Sequence, residues 1–149
     1  MTKIGTLTCL HSNDVCARVG CLKAFMEREA FFKEYSQDTC LAAMMTCNGC
    51  KSMNPAEPDD DKGILEKIDR LVSEDIKVMH VGVCCLIDGK KECPRITRIC
   101  EMLEDRENGI TAELVAMQVK LALKDITKEQ LKNLLARYES VSEEHLWEN

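Results

Sequence analysis

The sequence has no run of 18 consecutive apolar residues, and so it predicts no membrane-spanning helix. It also has no excess of positive charge. Its net charge of -6 disfavours a nucleic-acid or anionic-membrane partner, since both carry negative charge. The opening segment MTKIGTLTCL lacks the long apolar region and the small-residue cleavage site of a secretory signal. We therefore expect a cytoplasmic protein.

Several catalytic signatures are missing as well. The sequence contains no defensible Ser-His-Asp set, no phosphate-binding glycine loop, no HExxH motif and no carboxylate pair placed for acid–base catalysis. It has no internal repeat and no low-complexity segment. Whether the protein is an enzyme stays open, because a metal ion with an open coordination position can itself be catalytic.

What the sequence does have is cysteine, with ten in 149 residues. In a reducing compartment so many thiols do not indicate a disulfide framework, and metal ligation, redox chemistry or burial must explain them. Cys47 and Cys50 form a CxxC pair around Asn48 and Gly49. Glycine, and less readily asparagine, accepts a positive φ, which favours a tight turn. Such a turn brings two sulfur atoms onto one centre.

The hydrophobic pattern predicts strands that alternate with helices. Strands are predicted at 3–9, 39–47 and 76–86, and helices at 21–35, 63–75 and 95–107. The segment 109–123 fits either a fourth strand near its start or a helix. The alternation predicts an α/β fold of three layers, with a mostly parallel central sheet of about four strands. The nearly unbroken apolar run 39–47 is typical of a strand covered on both faces.

The chain is predicted to have two parts: a cysteine-rich α/β domain over 1–124 and a C-terminal extension over 125–149. The extension contains an amphipathic helix at 127–141, which opens with a capping box from Thr127 to Gln130. The apolar face of this helix must be covered. We expect it either to dock on the chain's own sheet or to form a homodimer contact.

The predicted strands bring distant cysteines to one edge of the sheet. In open parallel sheets, sites form beyond the carboxyl ends of the strands, near the point where the strand order reverses. The predicted strands end close to Cys9, Cys47 and Cys84, and the adjoining loops and helix starts hold further cysteines. The candidate metal ligands are therefore Cys9, Cys16, Cys21, Cys47, Cys50, Cys84 and Cys93.

Three cysteines are predicted to lie outside this site. Cys40 falls within an apolar strand and Cys100 on the apolar stripe of a helix, and so both are expected to be small buried hydrophobes. Cys85 is expected to face the opposite side of the strand from Cys84, because side chains alternate along a strand.

The other candidate ligands are weaker. His11 is expected to face solvent from a loop, although it could supply a nitrogen ligand. His80 lies in the middle of a strand and is expected to be a satisfied core residue. The acidic run of Asp59, Asp60 and Asp61 could bind a hard cation, but we expect a solvated loop.

These residues carry a resemblance to a known family. The segments KIGTLTC, DVCARVGCLKAFMEREAFF, CNGC and HVGVC, with the CP at 93–94, resemble the CGGC domain family of small cysteine-rich prokaryotic proteins, over residues 3 to 118. The family's Cys-Gly-Gly-Cys motif reads Cys47-Asn48-Gly49-Cys50 here, which keeps both sulfur atoms. The resemblance implies metal binding, with zinc first, and implies the seven cysteines above as family positions.

The sequence leaves more than one metal and more than one function open. Thiolate is a soft ligand that favours zinc and iron–sulfur clusters. We expect zinc, because no ferredoxin-type run of closely spaced cysteines is present, with an iron–sulfur cluster as the alternative. A dithiol oxidoreductase would instead use Cys47 to attack and Cys50 to resolve. A non-enzymatic adaptor would bind a partner through the helix at 127–141.

Overall fold

The computed structural model describes residues 1–50, 54–87, 91–105, 107–114 and 129. The strands are β1 Lys3–Thr8, β2 Cys40–Thr46, β3 Ile76–Val81, β4 Leu86–Ile87, β5 Lys91–Glu92 and β6 Thr111–Leu114. The α-helices are α1 Val19–Met26, α2 Lys62–Ser73 and α3 Pro94–Glu104. Short 3₁₀ turns occupy Leu10–Asp14, Ala30–Phe32, Pro58–Asp60 and Val83–Cys85.

Four strands form one parallel sheet in the order β2-β1-β3-β6. From β1 the chain passes to β2 on one side and later returns to β3 on the other side, so the strand order reverses at β1. The strands β4 and β5 form a separate antiparallel pair. The predicted α/β fold with a mostly parallel sheet of four strands is confirmed.

Helices cover both faces of the sheet and give the three layers. On one face Leu7 belongs to a buried cluster with Ile68 of α2 and Ile99 of α3. On the other face Ile4 belongs to a second buried cluster with Ala24 of α1. Both α2 and α3 follow their predicted ranges closely, because each has a clear apolar stripe.

Two elements end earlier than their sequence pattern predicts. The predicted helix 21–35 stops at Met26, since Arg28 adopts a left-handed backbone with φ 53° that an α-helix cannot include. The predicted strand 76–86 stops at Val81, where the chain turns into the 3₁₀ segment Val83–Cys85. In both cases apolar residues beyond the end of the element lie in a 3₁₀ segment.

Strand β2 is not covered on both faces as predicted. Among the described residues it lies at one edge of the four-stranded sheet, and Cys40, Ala42 and Met44 are exposed along it. The prediction that Cys40 is a buried core residue is therefore wrong. An apolar run indicates low polarity along a strand, but it does not say whether the strand lies in the centre or at the edge of its sheet.

The C-terminal predictions are tested only at their start. Strand β6 at Thr111–Leu114 confirms the strand alternative for the beginning of 109–123. The predicted helix 127–141 lies outside the described residues except for Glu129, and so do the division at 124 and the proposed docking of that helix. Within the described part of the chain, we find no helix with the length and apolar character needed to cross a membrane.

Candidate functional site

Six cysteines border one cavity of about 570 Å³ at the carboxyl edge of the sheet. They come from four places: the residue after β1, the turn after β2, the 3₁₀ segment after β3, and the start of α3. They are Cys9, Cys47, Cys50, Cys84, Cys85 and Cys93. The rest of the wall includes the apolar residues Leu86, Ile87, Pro94 and Ile96. Parallel strands thus gather thiols that lie as far apart as residues 9 and 93.

Two of the seven candidate ligands do not line this cavity. Cys16 is exposed in the loop before α1, and Cys21 lies half-buried in α1 itself. Burial raises the pKa of the Cys21 thiol, and negative charge on Cys84 raises it further. Both thiols therefore lie within electrostatic reach of Cys84, although the cavity wall does not include them.

The placement of Cys85 differs from its prediction. Alternation along a strand predicts that the residue faces away from Cys84, yet it is buried and borders the same cavity. The reason is that β3 ends at Val81, so the alternation of side chains along a strand does not extend to this position. Cys100 is 0% exposed, which confirms its prediction as a core residue.

Cys84 has a strongly lowered pKa. A hydrogen bond from the Cys85 thiol favours its thiolate form, and this outweighs the opposing effect of burial. The backbone N–H of Cys9, which donates to the Cys84 Sγ at 3.3 Å, adds to the effect. Ser12 and the charge of Arg18 contribute as well, and together they lower the pKa of Cys84 to about 5. Cys84 is therefore a thiolate at neutral pH.

The neighbouring thiols keep their protons more strongly. The hydrogen bond that Cys85 gives to Cys84 raises the pKa of Cys85 well above its ordinary value, and burial adds to this. Burial also raises the pKa of Cys9. The cavity wall thus combines the Cys84 thiolate with the Cys9 and Cys85 thiols, each of which would have to lose a proton to bind a metal ion.

Arg18 supplies positive charge beside these thiols. It is 8% exposed, and its guanidinium donates to the Ser12 Oγ at 2.8 Å and to the carbonyl oxygen of Cys9 at 3.4 Å. Its backbone N–H donates to the Cys16 Sγ at 3.4 Å, and this bond is the main cause of a lowered pKa at Cys16. No local pattern in the sequence distinguishes Arg18 from a surface arginine.

The CxxC pair lies in the tight turn that its sequence predicts. Asn48 has φ 63° and Gly49 has φ 96°, so both central residues adopt the left-handed conformation. Within this turn Cys47 is buried and Cys50 is exposed. The backbone N–H of Cys47 donates to the carbonyl oxygen of Thr8 at 3.2 Å, which ties the start of the turn to the end of β1.

Asp61 is not part of a solvated loop, and this prediction is wrong for that residue. It is 8% exposed and caps the N-terminus of α2, where it accepts hydrogen bonds from the backbone N–H groups of Gly63 and Ile64. It also forms an ion pair with Arg95 at 2.7 Å. An aspartate just before a helical apolar pattern is a known N-cap signal, so the sequence did contain a hint. Nothing in the sequence pointed to Arg95.

Both histidine predictions are confirmed. His80 is 0% exposed, and its Nε2 lies 2.8 Å from the hydroxyl of Tyr35. His11 is exposed. The described candidate donors at the cavity are therefore chiefly sulfur atoms, with Glu57 also on the wall.

The donor types fit a soft metal ion, although they are not gathered around a single point. Among the residues that the structure describes, no three or more His, Cys, Asp or Glu side chains are arranged so that they could hold a metal ion. The thiols nevertheless share one cavity wall, and a side-chain rotation can move a sulfur atom without a change in the backbone. Metal binding at this wall would therefore require such rotations.

Comparison with known proteins places the chain among cysteine-rich domains. The profile of the CGGC domain family matches residues 3–116. A curated triosephosphate isomerase from Clostridium tetani (strain Massachusetts / E88) is 44% identical over 41 residues, which are 28% of this chain and 16% of that protein. So short a match carries no statement about activity. No solved structure matches the chain.

Proposed function

The chain belongs to the CGGC domain family, and from this premise we propose that it binds a thiophilic metal ion at the cysteine-lined cavity. Zinc is the first candidate and an iron–sulfur cluster the second. The observation that carries the proposal is the convergence of six thiols from four separate parts of the chain on one cavity. Soft thiolates are the ligands that zinc and iron–sulfur clusters prefer.

The proposed ligands of the first centre are Cys9, Cys47, Cys50 and Cys84, with Cys93 next to them on the same wall. Cys9 and Cys47 directly follow β1 and β2, and Cys93 directly precedes α3, so regular elements hold the backbones of these three residues in place. Cys16 and Cys21 remain in the proposal as donors for a second centre or a larger cluster, since both thiols lie within electrostatic reach of Cys84.

The chain's own charges favour this binding. Cys84 is already a thiolate at neutral pH, so it can bind a cation without first releasing a proton. Cys9, whose pKa is raised by burial, must lose its proton to bind, and several thiolates on one metal ion leave a net negative charge. Arg18 beside Cys84 and Lys67 near Cys47 supply positive charge to offset it. A bound zinc ion would stabilise the fold, or act as a Lewis acid if one position stayed open.

A dithiol oxidoreductase is the alternative to a metal-binding function. It is favoured by the lowered pKa of Cys84 and by the Cys85 thiol, which borders the same cavity. The exposure of Cys50 and the burial of Cys47 do not suit the order in which Cys47 attacks first, because the attacking thiolate must be accessible. Redox chemistry would also leave most of the cavity thiols without a role.

Anaerobic purification tests the proposal. We expect at least one equivalent of metal by elemental analysis, with a colourless protein for zinc. A brown protein that absorbs near about 400 nm and bleaches on reduction would instead contain an iron–sulfur cluster. Metal-free protein with full thermal stability would contradict metal binding. If that metal-free protein also formed a reversible disulfide, the result would favour the redox candidate.

A further inference from the structure

The geometry points to Arg95 as a positioning residue, which fixes the spacing between the CxxC turn and Cys93. Arg95 does not act as a ligand, and its function here is to hold the backbone of two proposed ligands in register. The inference rests on the proposed function only for why that spacing matters. The contacts that carry it do not depend on any metal.

The Arg95 side chain ties three separate segments together. It is 10% exposed. Its Nε donates to the carbonyl oxygen of Cys47 at 2.7 Å, and one terminal nitrogen donates to the carbonyl oxygen of Ala56 at 2.6 Å. The other terminal nitrogen donates to the Asp61 carboxylate at 2.7 Å. A planar guanidinium can satisfy three acceptors in fixed directions, which a single ammonium group cannot do.

The position of Arg95 in the chain connects these three hydrogen bonds to Cys93. Arg95 lies in the first turn of α3, and Cys93 is the residue just before that helix. The backbone N–H of Cys93 donates in turn to the carbonyl oxygen of Cys85 at 2.9 Å. A bond from Arg95 to the carbonyl oxygen of Cys47 therefore limits how far the backbones of Cys47 and Cys93 can move apart at the cavity wall.

A second set of hydrogen bonds holds the CxxC turn through Asn48. The Asn54 side chain donates to the Asp61 carboxylate at 2.7 Å and to the carbonyl oxygen of Asn48 at 3.2 Å. Lys67 donates to the Asn48 side-chain oxygen at 2.5 Å. A glycine at position 48, as in the family motif, would lack this bond to Lys67. Asn48 thus adds a side-chain anchor to a turn that Arg95 holds by its backbone.

The same helix offers a matched control. Arg98 lies one turn further along α3 and pairs with Asp59, which precedes Asp61 by two residues. The side chains of this pair are 45% and 50% exposed, and its bonds do not reach the cysteine segments. Arg95 and Arg98 therefore share charge, helix and type of partner, but only Arg95 contacts the backbone of Cys47.

The first measurement uses cobalt(II) as a spectroscopic probe of the thiolate site in the full chain. We expect Arg95→Lys and Arg95→Gln to lower cobalt affinity by about 10–100-fold, as removal of outer-shell support typically does. Both should shift the thiolate-to-cobalt absorption, while Arg98→Gln should leave affinity and spectrum unchanged. Arg95→Lys is the more informative variant, because it retains the positive charge and removes only the ability to bond three acceptors in fixed directions.

The second measurement needs no metal. In reduced, metal-free protein, alkylation followed by peptide mass spectrometry reports how accessible each cysteine is. Arg95→Gln should increase the alkylation rate of Cys47 severalfold, because the bond to its carbonyl is lost. The buried Cys100 should stay protected in the same molecule, which separates local loosening from global unfolding.

The two measurements distinguish a failure of the proposed function from a failure of the role assigned to Arg95. Wild-type protein that binds neither cobalt nor zinc and contains no iron–sulfur cluster would contradict the proposed function, and the alkylation rate of Cys47 would still decide the role of Arg95. Unchanged protection of Cys47 with an unchanged cobalt spectrum in both Arg95 variants would overturn the positioning role alone. If Arg95→Gln does not fold, Asp61→Asn removes the charge partner of Arg95 and the same two measurements apply.

Discussion

The backbone N–H of Cys9 points at the Sγ of Cys84 across 3.3 Å, although 75 positions separate the two residues in sequence. One residue follows β1 and the other follows β3, and these strands are neighbours in the parallel sheet. A backbone donor at a strand end thus stabilises a thiolate on the adjacent segment. Four predictions follow from this site and its supports.

The first concerns pH. The folded pKa of Cys84 is about 5, below its ordinary value of 9.0, so between these values the unfolded chain binds a proton that the folded chain has lost. The stabilisation from this thiolate is complete above the unfolded pKa and disappears as the pH falls through the folded pKa. The stability of reduced, metal-free protein should therefore rise with pH across this window. Urea denaturation at several pH values measures it.

Substitution of Cys84 separates this effect from other titrations. Cys84→Ala should reduce the rise in stability with pH, because alanine has no proton to release. The exposed Cys40 is the matched control, and Cys40→Ala should keep the wild-type slope. The same pH slope in Cys84→Ala and in wild-type protein would show that Cys84 is not a thiolate in the folded state.

The second prediction separates ligand cysteines from the other cysteines by metal content. Serine at Cys9, Cys47, Cys50 or Cys84 replaces a soft thiolate with a hydroxyl that rarely ionises, so metal occupancy and thermal stability should both fall. Elemental analysis of each purified variant gives the occupancy. Full occupancy in the variants of both Cys47 and Cys50 would show that the CxxC pair is not a ligand pair.

Two controls complete this series. At Cys100 serine buries an unpaired hydroxyl, which should cost about 1–3 kcal/mol of stability and leave occupancy intact. At the exposed Cys40 serine should change neither stability nor occupancy. Loss of metal in the variant of Cys40 would mean that the proposed site is misplaced.

The third prediction concerns Asp61. Asp61→Ala removes the N-cap of α2, which alone costs about 0.5–2 kcal/mol. It also leaves the buried guanidinium of Arg95 without its carboxylate partner, so the total loss should be about 2 kcal/mol or more. Asp59→Ala breaks the exposed ion pair with Arg98 and should have little effect. Thermal denaturation of the two variants makes the comparison. Equal losses of stability would contradict the larger contribution expected from the buried pair.

The fourth prediction concerns the C-terminal extension. The last cysteine in the sequence is Cys100, so a chain that ends before Asp125 should still bind its metal. Size-exclusion chromatography with light scattering then distinguishes the two expectations for the helix at 127–141. An unchanged oligomeric state with lower stability would favour docking on the chain's own sheet, whereas loss of a dimer would favour the homodimer. Loss of metal on truncation would show that the extension helps to build the site.

Elements with local signals were predictable from the amino-acid sequence. Regular apolar stripes at 3.6-residue spacing predicted α2 and α3, because a helix brings residues three and four apart onto one face. The alternation of strands with helices predicted the parallel sheet, and Asn48 with Gly49 predicted the turn with positive φ. From the strand ends alone, the carboxyl edge could be proposed as the place where Cys9, Cys47 and Cys84 meet.

Features that depend on residues distant in the chain became visible only in the folded structure. Cys40 is exposed because β2 lies at the edge of the sheet, and strand order leaves no mark within a single strand. Cys85 faces the cavity because β3 ends early, although its apolar residues continue. The bond from Arg95 to the carbonyl of Cys47 joins residues 48 positions apart. Such a contact depends on the packing of α3 against the sheet, so no pattern of neighbouring residues could indicate it.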